Sequence, residues 1–452
     1  MKKEELHNLF QLNVKNSAPA IIIYSGQVNE RLKYTCEFIF KNILNCNYSV
    51  TDNAQTFQNS KEFKLNYSNE TISGAFHIIP HSLIFEKGIN KIYAPETKLK
   101  NDLIYFHPNT NGCQLGYDIF ASVFYFISRY QEWQPFEGDI HGRFEAKASI
   151  QFKHKQHLKP IVNSWIEELK TELSNFYPLL KFPEKKFQYI SSIDVDNLFA
   201  YKSKGAMRTG AAIAKDICTF QFKNLSRRIK VLRNELPDPF DVYDRLNTLS
   251  KKTGTPLIYF FLQRGNTKFD RTIDPGRDAF KQVFEKLRTE KIAFGLHPSY
   301  HSCDDADLMK HEFSVIQKNA EQEINISRQH YLRFDIHKTP FQLIENKVVA
   351  DFSMGFASSA GYRAGTFTPF YFYDLQNEKQ THLVMVPFAV MDGVYFVYSN
   401  SNPAQAQVKI MEMAREVKRL NGTFVTVFHE RTFDEVLYPG FGDLYKKLQG
   451  EL

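Results

Sequence analysis

The chain has 452 residues, 43% of them hydrophobic, and carries a formal net charge of +7 at pH 7. Its length exceeds one ordinary core and sets an expectation of two domains, while the apolar fraction excludes a disordered chain. So mild a charge does not imply a nucleic-acid partner, and no apolar run approaches the ~20 residues that span a bilayer.

In chain order, the N-terminus, Met1-Lys2-Lys3-Glu4-Glu5-Leu6, lacks the apolar stretch of a signal peptide. Five scattered cysteines (Cys36, Cys46, Cys113, Cys218, Cys303) show no C-x-x-C spacing. Together these set an expectation of a reduced, cytoplasmic setting. Ala20-Ile21-Ile22-Ile23-Tyr24, Ala75-Phe76-His77-Ile78-Ile79 and Leu103-Ile104-Tyr105-Phe106 read as strands. Two helices follow, one with Phe120, Val123, Phe124 and Ile127 at helical spacing, the other with Ile161, Trp165, Leu169 and Leu173. Pro178, Pro183 and the charges of Glu184-Lys185-Lys186 mark a linker. Residues 1–180 are thus read as a smaller α/β domain. Residues 187–452 number 452 − 187 + 1 = 266, which suits one β/α barrel of ~250 residues.

Within that second region seven segments read as strands: 188–194, 257–262, 292–297, 324–329, 348–352, 383–388 and 423–429. Continuous apolar runs such as Leu257-Ile258-Tyr259-Phe260-Phe261 suit strands buried on both faces of a parallel sheet. About 60 residues separate the first two segments, more than one crossover requires, so 200–240 reads as an insertion. Its basic stretch, Lys215 to Arg233 with Lys223, Arg227, Arg228 and Lys230, reads as the solvated face of a helix.

Four motifs sit at strand ends: Asp194-Val195-Asp196, His297-Pro298-Ser299-Tyr300-His301, Arg328-Gln329-His330 and Phe428-His429-Glu430. Residues at the C-terminal ends of parallel strands converge on one mouth. Asp194 and Asp196 face the same way, and two such carboxylates repel unless one meets a metal or a cation. Pro298 ends strand pairing after His297. Ser302 and Asp305 look like a capping box opening the next helix, which would leave His297 and His301 in one tight loop. One carboxylate and two imidazoles hold a divalent metal with an open position. Arg328 fits as the residue that pins the spare aspartate, and a spare carboxylate and histidine serve as base and acid.

Asp194, Asp196, His297, His301, Arg328 and His429, in that order, resemble the motifs of the polysaccharide deacetylase family, carbohydrate esterase family four. The resemblance covers residues 187–452, and residues 1–180 resemble the uncharacterised N-terminal domain joined to such barrels in Bacteroidetes proteins. It implies a distorted seven-stranded β/α barrel and a metal-dependent hydrolase that removes an N-acyl group, in the first instance N-acetyl, from a carbohydrate. It further implies Asp194 as general base, His429 as acid, and Asp196, His297 and His301 as ligands of one divalent metal, zinc first, with Co, Mn or Ni as alternatives. Tyr300, Asp351 and Arg363 are the residues expected to meet substrate. The expected partner is a carbohydrate, with no nucleic acid and no membrane span. The first motif departs from the usual pattern by one inserted residue, and Gln329-His330 stands where the family carries prolines. Two-histidine, one-carboxylate ligation also suits a non-haem Fe(II) oxygenase, and a non-catalytic carbohydrate-binding descendant is a third reading.

Overall fold

The structure, a computed structural model, describes residues 3–12, 19–90, 97–100, 103–106, 112–263 and 267–452. Ala20–Tyr24 (β1), Asn47–Thr51 (β2), Phe63–Tyr67 (β3) and Phe76–Ile78 (β4) form a parallel sheet in the order β2-β1-β3-β4. Ile21, Ile22 and Ile23 of β1 are all buried. That is the place for β-branched side chains, which pack well on a pleated surface. Thr97–Lys100 (β5) and Leu103–Phe106 (β6) form an antiparallel pair. The two predicted helices span Ile119–Ile127 and Ile161–Phe176. Ile161, Trp165, Leu169 and Leu173 are fully buried, so the fourfold spacing does mark the inward face.

The large sheet comprises Gln188–Val195 (β7), Leu257–Leu262 (β8), Ala293–His297 (β9), Ile326–Ser327 (β10), Ala350–Met354 (β11), Phe370–Asp374 (β12), Lys379–Pro387 (β13), Val390–Met391 (β14) and Thr423–His429 (β15). Its order is β12-β13-β11-β10-β9-β8-β7-β15-β14. The protein is therefore a mixed α/β chain with a nine-stranded sheet and a separate parallel sheet. Each of the seven predicted segments overlaps a strand of the large sheet. The two additions have plain causes: β12 and β13 form an antiparallel hairpin, which a count of parallel crossovers omits, and β14 is two residues long. All six residues of β8 are buried. Phe284 stacks on Phe294 of β9, with centroids 5.0 Å apart and planes at 6°, so some of the aromatic residues, 15% of the chain, are core.

Two compact units emerge from the packing. The first takes Met1–Gln188, Val349–Ala389 and Glu412–Phe424, and the second Tyr189–Val348, Val390–Met411 and Val425–Leu452. The first thus gathers two later segments in addition to the N-terminal region. All five cysteines are free thiols. Among the described residues no helix is long and apolar enough to cross a membrane.

Candidate metal centre

Register brings the second unit's motifs together. Leu262 pairs with His297 and Ser327 with Leu296, both in parallel. His297 therefore ends β9 beside Arg328, whose amide donates to the Leu296 carbonyl at 3.1 Å. Two residues on, the His330 amide donates to the Pro298 carbonyl at 3.0 Å. The chain then reverses through Tyr331 and Leu332, with φ of +59° and +53°. Left-handed backbone at two successive side-chain-bearing residues costs about 1–3 kcal/mol each, and here it follows directly on the residue it holds in place.

Asp196, His297 and His330 form a buried group whose ligand atoms all lie within 4.8 Å of one another. The Nε2 atoms of His297 and His330 are each 3.5 Å from Asp196 Oδ1. That oxygen is buried without a hydrogen-bond partner, while Oδ2 accepts from Arg431 Nη1 at 2.8 Å. A buried carboxylate oxygen left without a donor is costly unless something cationic faces it. His297 Nδ1 donates to the Arg328 carbonyl at 2.5 Å, and His330 Nδ1 donates to Asp270 Oδ1 at 2.8 Å. Each acceptor fixes the tautomer and leaves a lone pair on Nε2, the outer-sphere arrangement usual for metal-binding imidazoles. The donor set and the orphaned oxygen therefore fit a divalent cation.

Electrostatics agree. Burial would raise the Asp196 pKa, but His330 and Arg431 outweigh it and hold the carboxyl well below its usual range. Burial would lower the His297 pKa, yet Asp194 and Asp196 raise it. Metal binding at this site would therefore displace a proton.

Asp194 lies beside this group, its Oδ2 3.9 Å from His297 Nε2. Arg328 Nη1 donates to Asp194 Oδ1 at 2.6 Å and Nη2 to Ser192 Oγ at 2.8 Å, with the guanidinium 4.5 Å above the Phe260 ring. A fully buried, planar donor of this kind orients the carboxylate. On neighbouring β15, His429 places Nδ1 2.7 Å from Asp392 Oδ1, and Thr432 also donates to Asp392. Burial would lower the His429 pKa, but Asp392 reverses this and it rises to about 9. Glu430 accepts the amides of Asp196 and Asn197, each at 3.0 Å, and so ties the end of β15 to the end of β7. Burial and the charge of Asp196 push the Glu430 pKa up to about 8.

The expected residues thus divide. Asp194, Asp196, His297, Arg328 and His429 stand on one rim, but His301 does not join the cluster. The Ser302 hydroxyl donates to Ser299 at 2.6 Å and closes a turn, while Asp305 caps the helix Ala306–Ala320 by accepting from Leu308. That turn leaves the His301 side chain exposed, and His330 takes its place. Tyr300 is buried, stacked on Phe269 at 3.8 Å with Arg333 4.3 Å over its ring, and its amide donates to Asp270. It supports Asp270 and presents little surface to a substrate. Arg363 is buried in the first unit and bonded twice to Glu132, at 2.8 and 2.7 Å. Asp351 is buried there too and accepts from the Ser353 amide at 2.9 Å. Neither residue belongs to the second unit, which holds the cluster. Sequence reasoning missed Asp270, Asp392 and Arg431 outright. His330 alone carried a signal, as a histidine two residues past the arginine at a strand end.

A family of unknown function, DUF7033, matches residues 21–178. No curated protein is significantly similar to the chain. Among solved structures, a Mycobacterium smegmatis protein assigned as a polysaccharide deacetylase is 13% identical, over 60% of this chain and 84% of that one, with a TM-score of 0.39. A Pseudomonas aeruginosa PAO1 protein assigned likewise is 10% identical over 60% and 87%, with a TM-score of 0.35. A CE4 family pseudoenzyme from Bacillus anthracis is 9% identical over 59% and 63%, with a TM-score of 0.28.

Proposed function

We propose that the protein is a metal-dependent hydrolase that removes an N-acyl group, in the first instance N-acetyl, from a carbohydrate. One observation carries this reading: an orphaned Asp196 oxygen faces two oriented imidazoles, with a second, arginine-bound carboxylate beside them. A divalent cation held by Asp196, His297 and His330 would supply Lewis acidity toward an acyl carbonyl and toward water. Asp194, oriented by Arg328, accepts the proton from the attacking water. His429, held by Asp392, donates a proton to the departing amine. Arg431 balances the outer oxygen of Asp196 and keeps the inner one directed at the two histidines. Tyr331, partly exposed with its ring 4.8 Å from that of His330, offers a face on which a sugar could stack. We also propose that the N-terminal region and the barrel-like region act as separate domains, divided near residues 180–187.

The same three ligands favour a second reading, a non-haem Fe(II) oxygenase, because two histidines and one carboxylate also suit that metal. The deciding experiment screens metal-loaded protein for acetate release from N-acetylated chitooligosaccharides and peptidoglycan fragments. Asp194→Asn should abolish release and keep the metal, whereas Asp196→Asn should lose the metal. Silence on every acylated sugar, together with oxygen consumption under Fe(II), would replace this reading with the oxygenase. Silence in both assays would leave a binding protein.

A further inference from the structure

The 200–240 insertion contains two helices, Ala206–Cys218 and Phe222–Leu232. A solvated basic face was expected there, and the lysines are indeed exposed, but an apolar stripe is exposed with them. Met207, Ala211, Ala214 and Ile217 recur at helical spacing on the first helix, and all four are exposed, Met207 at 89%. At the turn between the helices Phe220 is 79% exposed and Phe222 60%, and their rings meet edge to face 6.2 Å apart. Leu232 and Leu236 continue the exposure. An apolar stripe at helical spacing normally faces a core, and large exposed apolar patches mark interaction sites.

Charge indicates what covers it. Residues 206–236 hold seven Lys and Arg against two acids. Asp216 is taken by Arg228 at 2.8 Å, and Glu235 lies 4.0 Å from Arg233. Arg227 anchors the hairpin inward through two bonds to Asp434, at 2.9 and 2.8 Å, beside the buried Val231. Lys215 and Lys223 remain exposed on either side of the phenylalanine turn in the chain, and Lys230 is exposed in the last turn of the second helix. Aromatic and aliphatic side chains ringed by cations are the make-up of a helix that lies in the interface of an anionic bilayer, with lysine stems reaching up to the headgroups.

We propose that this hairpin docks the protein on an anionic lipid surface, with Ile217, Phe220 and Phe222 entering the headgroup region and Lys215, Lys223 and Lys230 contacting lipid phosphates. The test is sedimentation of the full-length protein with phosphatidylcholine vesicles, with and without phosphatidylglycerol, at low and high salt. Binding should require the anionic lipid and weaken with salt. Phe220→Ser with Phe222→Ser should lower partitioning roughly tenfold or more, given the apolar area of two rings. Lys215→Glu with Lys223→Glu should lower it on anionic vesicles, and both pairs should keep wild-type metal content and circular dichroism. Absence of sedimentation with either vesicle, or undiminished binding by both variant pairs, overturns the proposal. So does a concentration-dependent dimer that the serine pair breaks while vesicles have no effect, an outcome that assigns the face to a second copy.

Discussion

Of the two histidines that qualify as third candidate ligand, one turn brings only His330 to the cluster. His330 reaches within 3.5 Å of Asp196 and is oriented by Asp270, whereas His301 is turned to solvent. His330→Ala should therefore reduce metal stoichiometry sharply by elemental analysis, and His301→Ala should leave it unchanged. Equal loss in the two variants would return His301 to the site. The His429–Asp392 pair makes a separate prediction, about pH. Its folded pKa is raised from 6.5 to about 9. The pairing thus contributes stability that is complete below about pH 6.5 and is lost as pH rises through about 9. In metal-free protein, a histidine resonance should titrate near 9 by NMR, vanish in His429→Gln, and move down in Asp392→Asn. A resonance that stays put in Asp392→Asn would remove Asp392 as the cause.

At the scale of elements, β9 and β10 set the site because their register places residues 297 and 328 side by side. Gly295 makes that pairing possible. A Cβ there would meet the Ile326 carbonyl oxygen and lie 2.9 Å from its carbon, and a backbone carbonyl cannot swing away as a side chain can. Gly295→Ala should cost about 1–3 kcal/mol by overpacking. Because the strands must part, it should also weaken metal binding. Thermal melts and metal titration read the two effects, and an unchanged melt would mean the strands yield freely. Seven of the nine strands were legible because their segments are mostly apolar, Leu257-Ile258-Tyr259-Phe260-Phe261 being the clearest run. β12, an aromatic-rich strand of a hairpin, fell outside that pattern. The start of the helix after His301 was misread because Ser302 and Asp305 are both plausible caps, and only the backbone chooses between them.

At the scale of the molecule, the first unit is closed by residues far apart in the chain. Glu132 receives Arg363 and Arg129, all three buried. Burial would raise its pKa, but the two guanidinium groups lower it to about 2. Its stabilising contribution is therefore complete above about pH 4.5 and is lost as pH falls through about 2. Glu132→Ala leaves two buried guanidinium groups without their carboxylate and should destabilise the protein by about 3–5 kcal/mol. Denaturant unfolding measures this, and a loss below ~1 kcal/mol would show that the pair is relaxed by water. Metal content of the folded fraction should not change, because the cluster lies in the other unit.

The amino-acid order was enough for seven of the nine strands of the large sheet, the arginine-bound aspartate, the histidine that ends β15 and two of the three candidate ligands. Each of these is a local signal: an apolar run, and a polar residue where the run stops. Only the tertiary structure brought His330 to the cluster and supplied the partners Asp270, Asp392 and Arg431, which lie 60, 37 and 235 residues from His330, His429 and Asp196. It also buried Arg363 against Glu132 and Tyr300 against Phe269, because a buried guanidinium takes the nearest buried carboxylate and a flat ring the nearest stack. Spacing along a chain states which residues can share a strand end. Which of them share a charge is settled by the turn that follows the strand and by the desolvation that forbids a buried ion to stand alone.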